Sequence, residues 1–196
     1  MMTTPPARPV PANAYGDDVE RVLVTEDELH TRIQQMADKV SAKFGDEDDD
    51  IILIGVLKGA VFFITDFARA LTIPSQMEFM AVSSYGNQTS SSGVVRILKD
   101  LDRDITGRNV IIVEDIIDSG LTLSWLIKNL KNRGPKSLGV VALLRKPDAV
   151  KTKLDLELQD LGFDLPNEFV VGYGLDFAER YRDLPFVGVL RPSVYR

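Results

Sequence analysis

The stretch from Val110 to Thr122 constrains this chain more than any other. An apolar, β-branched run over residues 110–113 leads into Glu114-Asp115, then Ile116-Ile117, then the small-residue turn Asp118-Ser119-Gly120-Leu121-Thr122. The run reads as a buried strand, and the segment 123–131 that follows is helix-compatible. The carboxylates and the turn therefore fall at the carboxyl end of a strand, the edge where open α/β sheets bind ligands.

The remainder of the chain supplies a sheet for such a unit. Thr25-Glu26-Asp27-Glu28 is a capping-box sequence, and Leu29, Ile33, Met36, Val40 and Phe44 recur at helical spacing behind it. Residues 51–56 read as a buried strand and 60–71 as a helix, so Leu57-Lys58-Gly59-Ala60 forms a second strand-to-helix turn and a second candidate phosphate site. Residues 77–83 and 138–144 read as further strands, and a helix over 123–132 is ended by Gly134-Pro135. This alternation predicts an α/β fold with a parallel sheet covered on both faces. Between Ser83 and Gly93 only one tyrosine interrupts a polar stretch, which is either a plain flexible connection or a lid that orders on ligand. The acidic run 46–50 lacks the spacing and glycine of a calcium loop and reads as a solvated turn.

Length and composition narrow the classes. A chain of 196 residues with 44% apolar content suits one globular domain. No apolar run approaches the roughly 18 to 20 residues that span a bilayer. Residues 1–16 carry four prolines and no apolar signal core, so residues 1–20 are expected to be a flexible tail ahead of one domain, 21–196, in a cytoplasmic protein. With no cysteine there is no disulfide, thiolate metal site or cysteine nucleophile, and the single histidine, His30, rules out a histidine-cluster metal site. His30 reads as a solvated helix residue and Trp125 as core. A net charge of −6 gives no general attraction to nucleic acid or an anionic membrane, so a bound phosphate must be held by local groups.

A Ser-Gly turn opening a helix offers backbone N–H groups, hydroxyls and the positive end of the helix dipole, all suited to phosphate. Acids beside it would repel that phosphate. Glu114-Asp115 makes more sense facing sugar hydroxyls or a phosphate-bound Mg²⁺, because carboxylates accept hydrogen bonds and ligate hard cations. The implied ligand is a sugar phosphate. No Gly-Lys-Ser/Thr ends the turn, so it is not a Walker loop, nor is it a dinucleotide Gly-rich turn.

Residues 113–122 resemble the phosphoribosyl-pyrophosphate signature of the type I phosphoribosyltransferases. Taken with Leu57-Lys58-Gly59, Ser84-Tyr85-Gly86, Leu143-Leu144-Arg145-Lys146 and the segment from Phe169-Val170-Val171-Gly172-Tyr173 through Asp176 to Arg182, the chain is similar to the bacterial hypoxanthine-guanine phosphoribosyltransferase family. That resemblance implies a central, mainly parallel twisted sheet flanked by helices, with a small hood subdomain from the N- and C-terminal segments. It implies Mg²⁺-dependent transfer of a 5-phosphoribosyl group from phosphoribosyl pyrophosphate to N9 of a 6-oxopurine, in a homodimer or homotetramer.

Roles follow from the same resemblance. Asp118 is the general base or acid near purine N7. Glu114, Asp115, Asp118, Ser119, Gly120, Leu121 and Thr122 bind the phosphoribosyl group, with Glu114, Asp115 and Asp176 on the metal side. Lys58, Gly59 and Arg182 bind pyrophosphate, with a cis bond at Lys58-Gly59 frequent in the family. Ser84 and Tyr85 close as a lid. Lys146, Phe169, Val170 and Asp176 form the purine pocket. Lys146 has only donors and so favours an acceptor oxygen at position 6 of the base, against the amino group of adenine. Leu121 replaces a lysine present in some relatives, which leaves backbone N–H groups to carry more of the phosphate.

Two other readings fit the same motifs. A nucleotide-sensing regulator of this fold would need a basic face or an added DNA-binding domain, whereas this chain is acidic and has no spare length for one. A xanthine-preferring phosphoribosyltransferase remains open, because the argument from position 6 does not separate hypoxanthine, guanine and xanthine.

Overall fold

The computed structural model describes residues 8–47, 50–85, 94–152 and 158–196. Its centre is set by alternation along three strands, β2 (Ile51–Leu57), β5 (Asn109–Ile117) and β6 (Ser137–Arg145), numbered after an outlying β1 (Val19–Val24). Leu53, Ile111, Val113, Val141 and Leu143 pack in one core with α1 (Glu26–Phe44) and α2 (Val61–Ala70). Ile52, Ile54, Val110, Ile112, Val140 and Ala142 pack in a second core with α3 (Leu121–Lys131). Burying each large apolar side chain contributes about 1.5–3 kcal/mol, so these two layers outweigh any single cap or ion pair.

The six-stranded sheet has the order β4-β3-β2-β5-β6-β7, where β3 is Ser75–Tyr85, β4 is Val94–Lys99 and β7 is Leu158–Asp164. Neighbours are parallel except β3 and β4. This is the expected helix-flanked α/β architecture. The sequence did not predict β4: it is an edge strand whose Arg96 and Leu98 face solvent, without the buried run that marks the inner strands. Strand β5 is also longer than expected, because Ile116 and Ile117 continue the ladder against Leu144 and Arg145. Glu114 and Asp115 thus sit in the last turns of the pleat, not after it.

A second sheet, β1-β9-β8, joins the chain's two ends, with β8 at Val170–Val171 and β9 at Val187–Leu190, all antiparallel. Its own apolar cluster includes Val19, Val171, Tyr181, Phe186 and Leu190. Residues 8–18 lie against this sheet: the Tyr15 ring is 4.4 Å from that of Tyr181, whose hydroxyl donates to Asp18 at 2.8 Å. β1 begins at Val19, just inside the stretch expected as tail, and residues 1–7 lie outside the described residues.

The capping box of α1 is formed: the Glu28 N–H donates to the Thr25 hydroxyl at 3.4 Å and the Thr25 N–H to the Glu28 carboxylate at 3.0 Å. Among the described residues no helix is long and apolar enough to cross a membrane.

Candidate active site

Four segments converge where the parallel strands end. β2 delivers Lys58 and Gly59, β5 delivers Asp115 and Asp118, β6 delivers Lys146, and the region of β8 delivers Phe169, Val170, Asp176 and Arg182. Together they line a cleft of about 360 Å³. Sequence reasoning did not single out Ile116 and Leu175, which also line it; their apolar character made them indistinguishable from core.

The cis peptide bond lies at Leu57–Lys58, one residue earlier than the resemblance implied. Space favours glycine at position 59. A Cβ there would lie 1.6 Å from Oδ2 of Asp115, so the carboxylate occupies the space any side chain would need. On the other side, a Cβ on Gly174 would come within 1.9 Å of the Gly59 carbonyl oxygen, so the loop after β8 is pressed against the loop after β2.

A smaller cavity of about 170 Å³ lies beside the cleft, bordered by Glu114, Asp118, Ser119, Gly120 and Thr122. Gly120, at φ +77°, is the N-cap of α3 and has no side chain to cap it, so the positive end of the helix dipole lies at this cavity's wall. Leu121 is exposed and does not border the cavity; its N–H donates to the Ser119 hydroxyl at 3.4 Å. Glu114 is buried, its Oε2 has no partner among the described residues, and burial together with the Asp115 charge pushes its carboxyl upward. Burial pushes Asp115 upward as well, against the opposing influence of Arg182. Two adjacent carboxyls that resist ionising together are a site short of positive charge.

Asp118 and Lys146 meet across the cleft, with Oδ2 and Nζ 3.8 Å apart. Phe169, 37% exposed, stacks on Tyr195 at 4.9 Å and meets Phe177 edge-on at 5.7 Å, while Val170 is buried in β8. Arg182 donates to the Gly174 carbonyl at 2.7 Å, pairs with Asp176 at 2.9 Å and reaches Glu179 at 3.1 Å. Lys58 pairs with the other oxygen of Glu179 at 2.6 Å, and the two cations hold that carboxyl below its ordinary range, Lys58 more than Arg182. Both oxygens of Asp176 are engaged, one by Arg182 and one by the Glu179 N–H at 2.9 Å. Glu179 was not anticipated. It stands in a turn where Ala178 and Glu179 have φ of +51° and +64°, and no glycine marks that turn in the sequence.

Ser84 and Tyr85 belong by their backbone to the end of β3, paired with Val95 and Val94; the rest of the expected lid, residues 86–93, lies outside the described residues. His30 is solvent-accessible, 3.7 Å from Asp66, and Trp125 packs against the α3 core. The cleft therefore offers an amide-lined anion cavity, a carboxylate pair for hydroxyls or a hard cation, a carboxylate and ammonium set for proton transfer, and a flat ring beside them.

Residues 25–178 match the phosphoribosyl transferase domain family. The chain is 57% identical over 190 residues to a hypoxanthine-guanine phosphoribosyltransferase of Mycobacterium avium, covering 95% of this chain and 93% of that protein. The structure of a Staphylococcus aureus hypoxanthine phosphoribosyltransferase matches with a TM-score of 0.87 and 36% identity, covering 94% of this chain and 98% of the other. That of the Trypanosoma cruzi enzyme in complex with the product IMP matches with a TM-score of 0.85 and 39% identity, covering 94% and 100%. With its sheet order, its cleft and these relatives in agreement, this chain belongs to the hypoxanthine-guanine phosphoribosyltransferases of the phosphoribosyltransferase family.

Proposed function

We propose that this chain salvages purines by moving the 5-phosphoribosyl group of phosphoribosyl pyrophosphate onto N9 of hypoxanthine or guanine, forming IMP or GMP and releasing pyrophosphate. The observation that carries this reading is the meeting of Asp118 and Lys146, 3.8 Å apart, in a cleft also lined by Phe169 and Arg182. A donor-only ammonium beside an aromatic ring selects an oxopurine, and the carboxylate next to it exchanges the proton at N7. Phe169 stacks on the base and Val170 offers its backbone. The cavity at Ser119, Gly120 and Thr122 receives the 5-phosphate, with amides doing what a lysine at position 121 would otherwise do. Lys58, Gly59 and Arg182 face the pyrophosphate, Ser84 and Tyr85 serve as the lid, and the small sheet acts as the hood.

Glu114 and Asp115 fit Mg²⁺. They are hard oxygen ligands, one oxygen of Glu114 is buried without a partner among the described residues, and burial raises both carboxyls. Among the described residues no third acidic side chain joins them in a closed cage, which suits a cation that takes its other ligands from substrate oxygens and water. Bound there, Mg²⁺ would neutralise charge on the leaving pyrophosphate. Each Asp176 oxygen accepts one hydrogen bond, from Arg182 or from the Glu179 amide, and keeps a second lone pair for a metal. The reading also places the enzyme in the cytoplasm as a homodimer or homotetramer, which light scattering on the purified protein checks.

The deciding assay follows nucleotide formation with hypoxanthine, guanine, xanthine and adenine, with and without Mg²⁺. Product is expected from hypoxanthine and guanine, only with the metal, and not from adenine. Comparable turnover of adenine would refute the assignment of Lys146, and faster turnover of xanthine than of the other oxopurines would replace the named substrates.

A further inference from the structure

The carboxylate of Glu179 bridges the two cations of the cleft, with Oε2 on Lys58 Nζ at 2.6 Å and Oε1 on Arg182 Nη2 at 3.1 Å. The Glu179 side chain is 63% exposed, and ion pairs in that setting are weak and easily exchanged. Arg182 is only 21% exposed and has two other anchors, the Gly174 carbonyl and Asp176, which keep the guanidinium in place whether or not Glu179 is there. The root of the Glu179 side chain is also fixed, because its N–H donates to Asp176 and the turn around it holds left-handed residues at 178 and 179. An anchored guanidinium and an exposed ammonium are thus spanned by a hydrated carboxylate, one oxygen on each. A pyrophosphate group spans such a pair in the same way, with two anionic oxygens.

We infer that Glu179 is an internal stand-in for the leaving group: its carboxylate occupies Lys58 and Arg182 before the donor binds, yields them to the donor's pyrophosphate, and reclaims them as product pyrophosphate departs. The inference rests on the pyrophosphate role proposed for Lys58 and Arg182. No covalent bond changes; ionic contacts are exchanged. A tethered carboxylate competes at high effective concentration, so it lowers affinity for pyrophosphate and speeds release, a step that limits turnover in many enzymes.

Calorimetric titration of inorganic pyrophosphate with Mg²⁺ into the full chain tests this. Glu179→Gln keeps the side chain's size and removes its charge; it is expected to bind pyrophosphate about threefold to tenfold more tightly and to be inhibited more strongly by it, with hypoxanthine affinity unchanged. Asp183→Asn removes a charge next to Arg182 in sequence, from a residue bonded to Tyr15, and is expected to shift affinity by less than about twofold, since exposed charges are screened. In a Lys58→Ala background the gain from Glu179→Gln should shrink. Unchanged or weaker pyrophosphate binding by Glu179→Gln, or an equal gain from Asp183→Asn, overturns the stand-in. Arg182→Gln separates this from the underlying assignment: retained pyrophosphate affinity there, in a protein with wild-type thermal unfolding, removes the pyrophosphate role itself.

Discussion

Lys146 keeps only 12% of its side chain exposed, against 59% for Asp118, although their charged atoms lie 3.8 Å apart. The difference divides their work. A desolvated ammonium discriminates strongly, because placing it against another donor leaves it unpaired, whereas a hydrated carboxylate is free to trade protons. Lys146→Ala should raise the KM for oxopurines about tenfold to a hundredfold, the worth of a hydrogen bond to a charged group, and leave pyrophosphate affinity near wild type. Equal losses for both substrates would misplace the purine pocket. Asp118→Asn should lower kcat by about 10² to 10⁴ while phosphoribosyl pyrophosphate still binds; near-normal turnover in a steady-state assay would remove Asp118 from proton transfer. Both residues were legible in the sequence because each sits in a short motif at a strand end. Glu179 was not, since its partner Lys58 is 121 positions away and only the tertiary fold brings them together.

At the scale of elements, the capping box that begins α1 was readable from four consecutive residues. Thr25→Ala should cost about 1 kcal/mol, seen as a lower denaturant midpoint with an unchanged slope. The inner strands were equally readable, since their β-branched runs are buried on both faces. The edges were not: β4 carries Arg96 among its apolar residues and ends on Lys99, and β8 has only two residues, too few for any periodic signal. The end of β5 was underestimated because an acidic pair breaks its hydrophobicity. That pair is tolerated in a strand because it stands at the open rim of the sheet, where ligand and counter-charge can reach it.

At the scale of the molecule, the order of strands and helices predicted the parallel sheet, while the small sheet, which pairs Val19 with Leu190, depends on contacts between opposite ends of the chain. A contact made by the N-terminal segment is titratable. Arg8, hydrogen-bonded to Glu28 and assisted by Thr25, lowers the Glu28 carboxyl from 4.5 to about 2. Between those values the unfolded chain binds more protons than the folded one, so the stability it adds is complete above about pH 4.5 and is lost as pH falls toward about 2. The difference in denaturant midpoint between wild type and Glu28→Gln should therefore shrink over that interval, and a difference constant from pH 6 to pH 3 would show the contact to be absent in solution.

A methyl group on Gly59 would meet the Asp115 carboxylate, and one on Gly174 would meet the Gly59 carbonyl, so the two loops touch where neither has room for a side chain. The first obstacle is the end of a short side chain, whereas the second is backbone and cannot turn aside. A lineage that came to prefer another base would have to remodel the walls, where Phe169, Ile116 and Leu175 already present side chains, because the contact between these two loops leaves no room for a new one.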